Sequence, residues 1–508
     1  MLKPDNKVHL LVVLFFIFFL VLGTFIFSDY GLSWDEGLQR NIGLMNIDYV
    51  LNNSNALLDS QDRYHGAFFE IILISIEKIF HLEDTKSIYL GRHLANFLTF
   101  YLGVIFFYLL CKHYFRNWKI AILGCLLLIL SPRIFSDSFY NCKDIPFMSI
   151  FIISIYLFVK YTENKNWLWV LLHSLTSAIL IDIRIMGVLL PFFTLLFTIT
   201  NSYHTHKVKK NALNLVVYFS LLAIFMIVLW PVLWKNPLHH FLQAFIQMSH
   251  YPWNGAVLYF GKYVSARSLP GHYIPVWIII TTPILYILAF FAGLFSSLNA
   301  IFRNPSNYLS LKKKDLIFLL WFFLPLITII VFKSVLYDGW RHMFFIYPAF
   351  LVIALNGLVT IWNALQKKRH TISLAIFVLI VTLSLASTAY GMVTNHPHQN
   401  VYFNFLVEKN ARNNFELDYW GLSYRQALEH ILEKEPKGVI NFTATNWPGQ
   451  FNLEILDPIE RSRLRHTSEA EAEYLLTNFR GHKEDYPYNE VYNITAYGSK
   501  ILSVYKLR

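Results

Sequence analysis

Residues 8–28 read VHLLVVLFFIFFLVLGTFIFS, an apolar run without Asp, Glu, Lys or Arg. A helix of this length crosses a hydrocarbon core about 30 Å thick and satisfies its own backbone hydrogen bonds there. Ten further runs are also mostly apolar: 91–112, 119–133, 145–161, 166–183, 185–201, 213–231, 273–298, 316–332, 342–362 and 372–392. A chain that is 55% hydrophobic and 15% charged is not a soluble globular protein. The sequence predicts an all-α polytopic membrane protein with about eleven transmembrane helices.

The first run has some features of a signal peptide. It lacks a small-residue cleavage site, however, and continues through Ser28-Asp29-Tyr30 directly into a polar motif. We therefore expect this helix to be retained in the mature protein.

The basic residues indicate the orientation, because lysine and arginine in short loops stay in the cytoplasm. They concentrate in alternate loops, at Lys3 and Lys7, 112–119, 207–210, 312–314 and 367–369. The net charge of +11 is thus explained mainly by the basic cytoplasmic loops, which also attract anionic headgroups. We do not predict a nucleic-acid partner. An odd number of spans puts the C-terminal region outside. We expect a multi-pass protein of the plasma (inner) membrane with an extracytoplasmic C-terminal domain.

Two regions are predicted, a transmembrane domain over 1–392 and a small α/β domain over 393–508. In the second region, 424–434 has helical character, 439–445 is rich in β-formers, and 491–506 has the pattern of a hairpin. The outer loops 29–88 and 232–272 each contain a short apolar stretch, 68–80 and 237–248. We expect both stretches to lie in the membrane interface as amphipathic helices.

Cysteine and histidine do not predict a metal or disulfide framework. Of Cys111, Cys125 and Cys142, only Cys142 is expected to face outward. The histidines lack zincin-type spacing with a third ligand, so neither a metal nor another cofactor is predicted; they are His204, His206, His239, His240 and His250.

Acidic residues follow the first span in Trp34-Asp35-Glu36. A carboxylate beside a span is partly desolvated, which raises its pKa toward the range of a general base. The alternative is a pair of solvated loop acids, with Glu36 starting a helix.

A second polar cluster is Lys143-Asp144-Ile145-Pro146, at the start of the fourth span. Proline is favoured in the first turn of a helix, where Pro146 lies, and an acidic residue is favoured at the positive end of the helix dipole. Helix capping is therefore an alternative role for Asp144. Lys143 is harder to explain structurally, because a lysine on the outer side opposes the orientation rule.

Two arginines lie close to membrane depth, where charge is expensive and often functional. Arg184 lies between two spans, and Asp182 is its possible structural partner. Arg341 lies in the segment Tyr337-Asp338-Gly339-Trp340-Arg341-His342. An Asp338–Arg341 pair within an aromatic belt is the alternative there. Cations that converge at an outer membrane surface suit a phosphate or pyrophosphate. His272, in Leu269-Pro270-Gly271-His272-Tyr273, is placed to meet a lipid phosphate.

These motifs, in this order, resemble the protein O-mannosyltransferase and lipid A aminoarabinose transferase family. The family consists of membrane glycosyltransferases of the GT-C fold that use polyprenyl-phosphate sugars. The resemblance covers the whole membrane region, and 415–421 (FELDYWG) is similar to a subgroup of bacterial members.

The resemblance implies a single displacement at the sugar's anomeric carbon. It implies Asp35 as the base, Glu36 as its support and Asp144 as a second acidic group. The implied donor-phosphate ligands are Lys143, Arg184, Arg341 and His342, and the implied lipid-carrier contacts are His272, Tyr273 and Tyr337.

The expected partners are the bilayer, a polyprenyl-phosphate-linked sugar and an acceptor glycan, lipid or protein. The sequence leaves the sugar and the acceptor open. The main alternative function is a transporter or flippase of a lipid-linked sugar, which would favour polar residues near mid-membrane and an inverted repeat. A sensor would leave the charged outer loops unexplained.

Overall fold

The apolar runs form helices in the structure, a computed structural model that describes residues 4–164, 166–205, 208–249, 251–303 and 313–508. Among these residues, eight helices are long and apolar enough to cross a membrane: Lys7–Asp29, Thr85–Phe115, Asp144–Glu163, Lys209–Leu229, Ile284–Arg303, Asp315–Phe332, Arg341–Lys367 and Thr371–Thr394. The predicted positions Lys3, His206, Lys207, His250 and Lys312 lie outside the described residues.

The remaining predicted spans differ in form from a simple transmembrane helix. The run at 119–133 becomes two helices, Trp118–Ile129 and Pro132–Tyr140, with a bend of 70° between them. The runs at 166–183 and 185–201 become shorter apolar helices, Trp167–Ile183 and Ile185–Thr200. A bent pair and two short helices therefore replace three of the eleven predicted simple crossings.

The helices are numbered in chain order. The first seven are α1 Pro4–Ile26, α2 Glu36–Asn52, α3 Ala56–Asp59, α4 Phe68–Ile79, α5 Thr85–Phe115, α6 Trp118–Ile129 and α7 Pro132–Tyr140. The next seven are α8 Asp144–Glu163, α9 Trp167–Ile183, α10 Leu189–Thr205, α11 Val208–Leu229, α12 Pro237–Ser249, α13 Tyr273–Thr281 and α14 Ile284–Arg303. The last seven are α15 Lys313–Phe332, α16 Tyr347–Lys367, α17 Thr371–Thr394, α18 Ala411–Asn414, α19 Ser423–Lys434, α20 Trp447–Phe451 and α21 Pro458–Ser462.

The centre of the membrane region is formed by α8 and α16, whose residues are mostly buried, whereas α1, α11 and α17 expose most of theirs. Helices α14 and α16 approach each other at two glycines. A methyl group at Gly293 would lie 1.9 Å from the Ile353 carbonyl oxygen, and one at Gly357 would lie 2.0 Å from that of Ala289. Small residues permit such backbone contact between membrane helices, where dispersion forces drive packing.

The C-terminal region forms the predicted α/β structure. Its strands are β3 Ile440–Ala444, β4 Leu464–His466, β5 Tyr474–Thr477, β6 Asn489–Ala496 and β7 Ser499–Lys506, after an outer hairpin of β1 Ala256–Tyr259 and β2 Lys262–Ser265. The five-stranded sheet has the order β4-β3-β5-β7-β6. Strands β6 and β7 form the predicted terminal hairpin, and α19 the predicted helix.

Side chains of this domain bind the loop between α1 and α2. Asn452 accepts a hydrogen bond from the Leu32 amide at 2.8 Å and donates one to the Leu32 carbonyl at 3.0 Å. Arg425 donates to the Tyr30 carbonyl at 3.0 Å. The domain therefore lies at the end of the membrane region that carries Asp35.

The two short apolar stretches both form helices with exposed apolar side chains. In α4, Glu70 and Glu77 are buried and pair with the buried Arg92 of α5, while Ile79 is exposed. Helix α12 exposes Leu238. The interfacial position of the two helices stays a prediction.

The three cysteines are free and buried. Cys142 is therefore packed in the interior, and its expected place on the outer side of the membrane stays a prediction.

Candidate active site

A cavity of about 1280 Å³ lies between the membrane helices and the C-terminal domain. Five of the predicted site residues line it: Asp35, Lys143, Arg184, Arg341 and His342, together with the predicted carrier contact Tyr337. Asp144 is buried immediately behind this surface. The tertiary structure thus brings together residues such as Asp35 and Arg341, which are 306 positions apart in the chain.

Asp144 is the common partner of the two arginines. It is the acidic residue in the first turn of α8, as the capping alternative requires, but its amide is capped by Asn141 Oδ1 at 2.9 Å and its carboxylate contacts the arginines. One oxygen pairs with Arg184, and the other lies 3.3 Å from Arg341 Nη1 and accepts from Asn141 at 3.0 Å. The expected Asp182 partner of Arg184 is wrong, since Asp182 instead accepts from the Phe68 amide at 2.9 Å.

Arg341 is 3% exposed and contacts three carboxylates. Its Nη1 lies 3.0 Å from Asp35 Oδ2, and its Nη2 lies 3.2 Å from Asp338 Oδ2. The guanidinium also stacks over the Trp420 ring at 4.6 Å. The alternative pair of Asp338 and Arg341 is therefore present, but it is only one part of a larger network.

Arg480 of the C-terminal domain extends this network, and sequence reasoning did not identify it. Its Nη2 lies 2.7 Å from Asp338 Oδ1, and its guanidinium stacks over Trp34 at 4.7 Å. Burial lowers the pKa of Arg480, but the combined charges of Asp338, Glu416 and Asp35 raise it above its ordinary value. An arginine in a polar domain carries no sequence signal for this role, because only the fold places it against Asp338.

Lys143 lies just before α8, next to His65. Its Nζ is 2.9 Å from His65 Nδ1, and His65 Nε2 is 3.5 Å from Asp62. Burial lowers the pKa of the Lys143 ammonium to about 8, and the positive charge of Arg184 acts in the same direction. Burial likewise lowers the pKa of His65 to about 4, aided by the charge of Lys143. At neutral pH the pair is therefore a lysinium beside a neutral imidazole.

Four cations lie close together in this network, and among the described residues Lys143 forms no ion pair with a carboxylate, its amine contacting His65. The charged cations are Lys143, Arg184, Arg341 and Arg480, and the carboxylates they contact are Asp35, Asp144 and Asp338. Glu416 is a fourth acid nearby, but burial raises its pKa to about 7, against the lowering effect of Arg480. The site is therefore suited to an anionic ligand.

Besides Asp144, three predicted residues do not line the cavity. The Glu36 carboxylate is buried, accepts from the Ser33 amide at 2.7 Å and lies 2.9 Å from His93 Nε2. His272 Nδ1 lies 2.7 Å from the Tyr259 hydroxyl, and Tyr273 is buried. The structure therefore does not bring these side chains together with Asp35 and Arg341.

Part of the cavity wall is apolar and is formed by residues of α12 and of the membrane helix α15; we call this part the apolar arm. Its wall includes Phe245 of α12 and Pro325, Ile329 and Phe332 of α15. Phe332 and Phe245 are also partly exposed at the surface of the protein. This arm fits an aliphatic chain, because apolar surface favours apolar ligands.

Within the part of the chain that the structure describes, no group of three or more His, Cys, Asp or Glu could hold a metal ion.

Comparisons with known proteins agree with this architecture. Residues 69–232 match the family model described as dolichyl-phosphate-mannose-protein mannosyltransferase. ArnT from Cupriavidus metallidurans, in its crystal structure bound to undecaprenyl phosphate, matches with a TM-score of 0.51 and 14% identity over 97% of each chain. The archaeal oligosaccharyltransferase AglB from Archaeoglobus fulgidus, in complex with an inhibitory peptide and a dolichol-phosphate, matches with a TM-score of 0.50 and 11% identity over 92% of this chain and 69% of that chain. No curated protein matches the sequence significantly.

The matches confirm the GT-C resemblance and the fold class. The chain is a multi-pass membrane protein of this fold with a small C-terminal α/β domain.

Proposed function

We propose that this protein, which has the GT-C glycosyltransferase fold, transfers a sugar from a polyprenyl-phosphate donor to an acceptor at the outer face of the membrane. The observation that carries the proposal is the cationic network around Arg341 at one end of a cavity whose other arm is apolar. A lipid-phosphate sugar has matching parts, an anionic phosphate and a long aliphatic chain. The ArnT neighbour binds undecaprenyl phosphate, which supports this class of donor.

In this proposal, Arg341, Arg184 and Lys143 hold the donor phosphate, and His342 adds a contact. Arginine binds phosphate through two parallel hydrogen bonds, and its fixed charge needs no proton uptake. Asp144 orients both arginines because its two oxygens contact one guanidinium each. The apolar arm holds the first part of the carrier chain, beside Tyr337. His272 and Tyr273 act from outside the cavity, by fixing the outer hairpin.

The reaction is a displacement at the anomeric carbon. The acceptor oxygen forms a bond to that carbon while its proton passes to Asp35. The bond from the carbon to the phosphate oxygen breaks, and its electron pair stays on the phosphate. Preorganised cations stabilise the charge that develops on this leaving group. Glu36 supports Asp35 indirectly, because it holds the Ser33 amide and thus the turn that begins α2.

The alternative function, transport of a lipid-linked sugar, agrees less well than sugar transfer with the positions of the polar side chains in the membrane region. A buried cluster there includes His173, whose Nε2 lies 2.8 Å from Thr194 Oγ1, and Tyr218, which donates to Ser177 at 2.8 Å. These side chains bond to one another and do not line the cavity. They join neighbouring helices, as polar side chains commonly do in membranes.

A direct test is incubation of the purified protein with a set of polyprenyl-phosphate sugars, with donor consumption and polyprenyl phosphate release measured by mass spectrometry. Consumption of at least one donor supports the proposal. Failure of the protein to bind polyprenyl phosphate would argue against a lipid-phosphate donor.

The pH dependence of donor binding tests the role of Lys143. Because only the protonated amine attracts phosphate, affinity for polyprenyl phosphate should fall as pH rises through about 8. The loss should be at most about tenfold per pH unit, since one proton is involved. Binding is measured between about pH 7.5 and 9.5, above the second phosphate pKa of about 6. Lys143→Arg should flatten the profile, and an unchanged profile in that variant would exclude Lys143 as a phosphate ligand.

The proposed location is the plasma membrane, with the site and C-terminal domain outside. In a variant without Cys111, Cys125 and Cys142, a cysteine at the exposed position Gln450 should react with an impermeant maleimide in intact cells. A cysteine at the exposed Lys368, in a basic loop, should react only after lysis, because basic loops remain cytoplasmic. Labelling of position 450 only after lysis would reverse the orientation.

A further inference from the structure

The C-terminal domain contributes two aromatic residues to the cavity wall, the exposed Trp447 and the buried Phe451 beneath it. Trp447 and Phe451 project from α20, and their rings stack with centroids 5.9 Å apart and an interplanar angle of 15°. Trp447 is 52% exposed, although it lies in a water-facing domain where exposure of so large a ring is unfavourable. We refer to these two residues as the aromatic platform.

The platform borders the turn that carries Asp35. Phe451 packs against the start of α2, where a methyl group at Gly37 would lie 3.2 Å from Phe451 Cζ. Its other edge meets Tyr89 in an edge-to-face contact, with centroids 5.3 Å apart. Gly37 follows Asp35 by two residues, so a ligand on the platform lies in the same part of the cavity as the proposed base.

Polar side chains surround the platform. Arg40 and Asn41 of α2, Thr85 of α5 and Glu454 after α20 line the same cavity. Arg40 is held by Glu77 at 3.0 Å, and Glu454 by Arg461 at 2.7 Å. Fixed polar groups next to an aromatic face give a ligand orientation as well as contact area.

We infer that the acceptor is a carbohydrate, with one sugar ring stacked on the aromatic platform and its reacting hydroxyl directed to Asp35. This inference rests on the proposed function and specifies its second substrate. A sugar ring has an apolar C–H face that packs on an aromatic ring, and hydroxyl groups at its edge that bond to amide, guanidinium and carboxylate groups. The platform and its neighbours supply both kinds of contact.

The rest of the cavity favours this acceptor over the alternatives. The apolar arm, formed by residues of α12 and of the membrane helix α15, accommodates the carrier chain of the donor. An extended peptide would bind most readily to a strand edge. Among the described residues, no strand contributes to the cavity wall. A carbohydrate needs only the platform and the surrounding polar groups.

The test is binding of the purified full-length protein to an array that carries oligosaccharides and serine- and threonine-rich peptides. Wild type should bind a subset of the oligosaccharides, Trp447→Phe should keep most of that affinity, and Trp447→Ala should weaken it by roughly tenfold or more. Ile459→Ala is the matched control, since Ile459 is 80% exposed on the same domain and does not line the cavity. A thermal unfolding scan of each variant verifies folding.

Three results would overturn the inference: no oligosaccharide bound by wild type, equal binding by wild type and Trp447→Ala, or Trp447-dependent binding of the peptides. The third result would identify a protein acceptor. Binding of wild type to polyprenyl phosphate, measured in parallel, separates the two proposals. A protein that binds the lipid phosphate but no oligosaccharide would retain the proposed function and lose the carbohydrate acceptor.

Discussion

Replacement of Arg341 by alanine is expected to weaken the binding of polyprenyl phosphate by about 2–5 kcal/mol, which is roughly 30-fold or more in Kd. Arg341 is 3% exposed, so its charge acts with little screening by water. The fork of its guanidinium also matches the phosphate oxygens. Arg341→Lys, which keeps the charge and loses the fork, should show an intermediate loss. Binding is measured with a fluorescent polyprenyl phosphate in detergent or nanodiscs.

This variant is expected to fold, because each carboxylate around Arg341 keeps another stabilising contact. Asp144 keeps Arg184, Asp338 keeps Arg480, and Asp35 is partly exposed to water. Asp338→Asn is the matched control, since it removes a carboxylate from the same network and should leave the affinity for phosphate equal or higher. Equal lipid affinity in wild type and Arg341→Ala would show that the arginine serves only its ion pairs.

Replacement of Asp35 by asparagine is expected to lower turnover by roughly 100-fold or more, because the amide cannot accept the acceptor's proton. Donor affinity should stay equal or rise, since the change removes a negative charge 3.0 Å from Arg341. The carboxylate makes no capping bond to its own helix, so the fold has little dependence on it. Turnover is measured as sugar transfer at saturating donor.

Asp29→Asn provides the comparison for Asp35→Asn. Asp29 is another acid in the loop after α1, and its carboxylate lies 2.8 Å from His396 Nε2 and does not line the cavity. This control should retain wild-type turnover. Equal turnover in Asp35→Asn and Asp29→Asn would show that Asp35 is not the base of the reaction.

The membrane class and most of the helices were predictable because lipid imposes a strong local rule. Each apolar run must satisfy its own backbone hydrogen bonds, so hydropathy alone indicates a helix. The rule was weaker where a run was short or contained proline. The run at 119–133 became a bent pair with Pro132 at the start of its second helix, and the run at 273–298 broke near Pro283.

The sequence by itself therefore determined the membrane environment, the helical runs, the terminal hairpin and the types of charged residue at the site. Only the tertiary structure decided which charges meet. Asp144 pairs with Arg184 and Arg341, which are 40 and 197 residues away, and Arg480 reaches Asp338 from a separate domain. The physical reason is the distance along the chain over which each effect acts. Hydropathy and backbone hydrogen bonding act within one segment. An ion pair depends on the relative positions of helix ends and loops, which only the packing of the helices establishes.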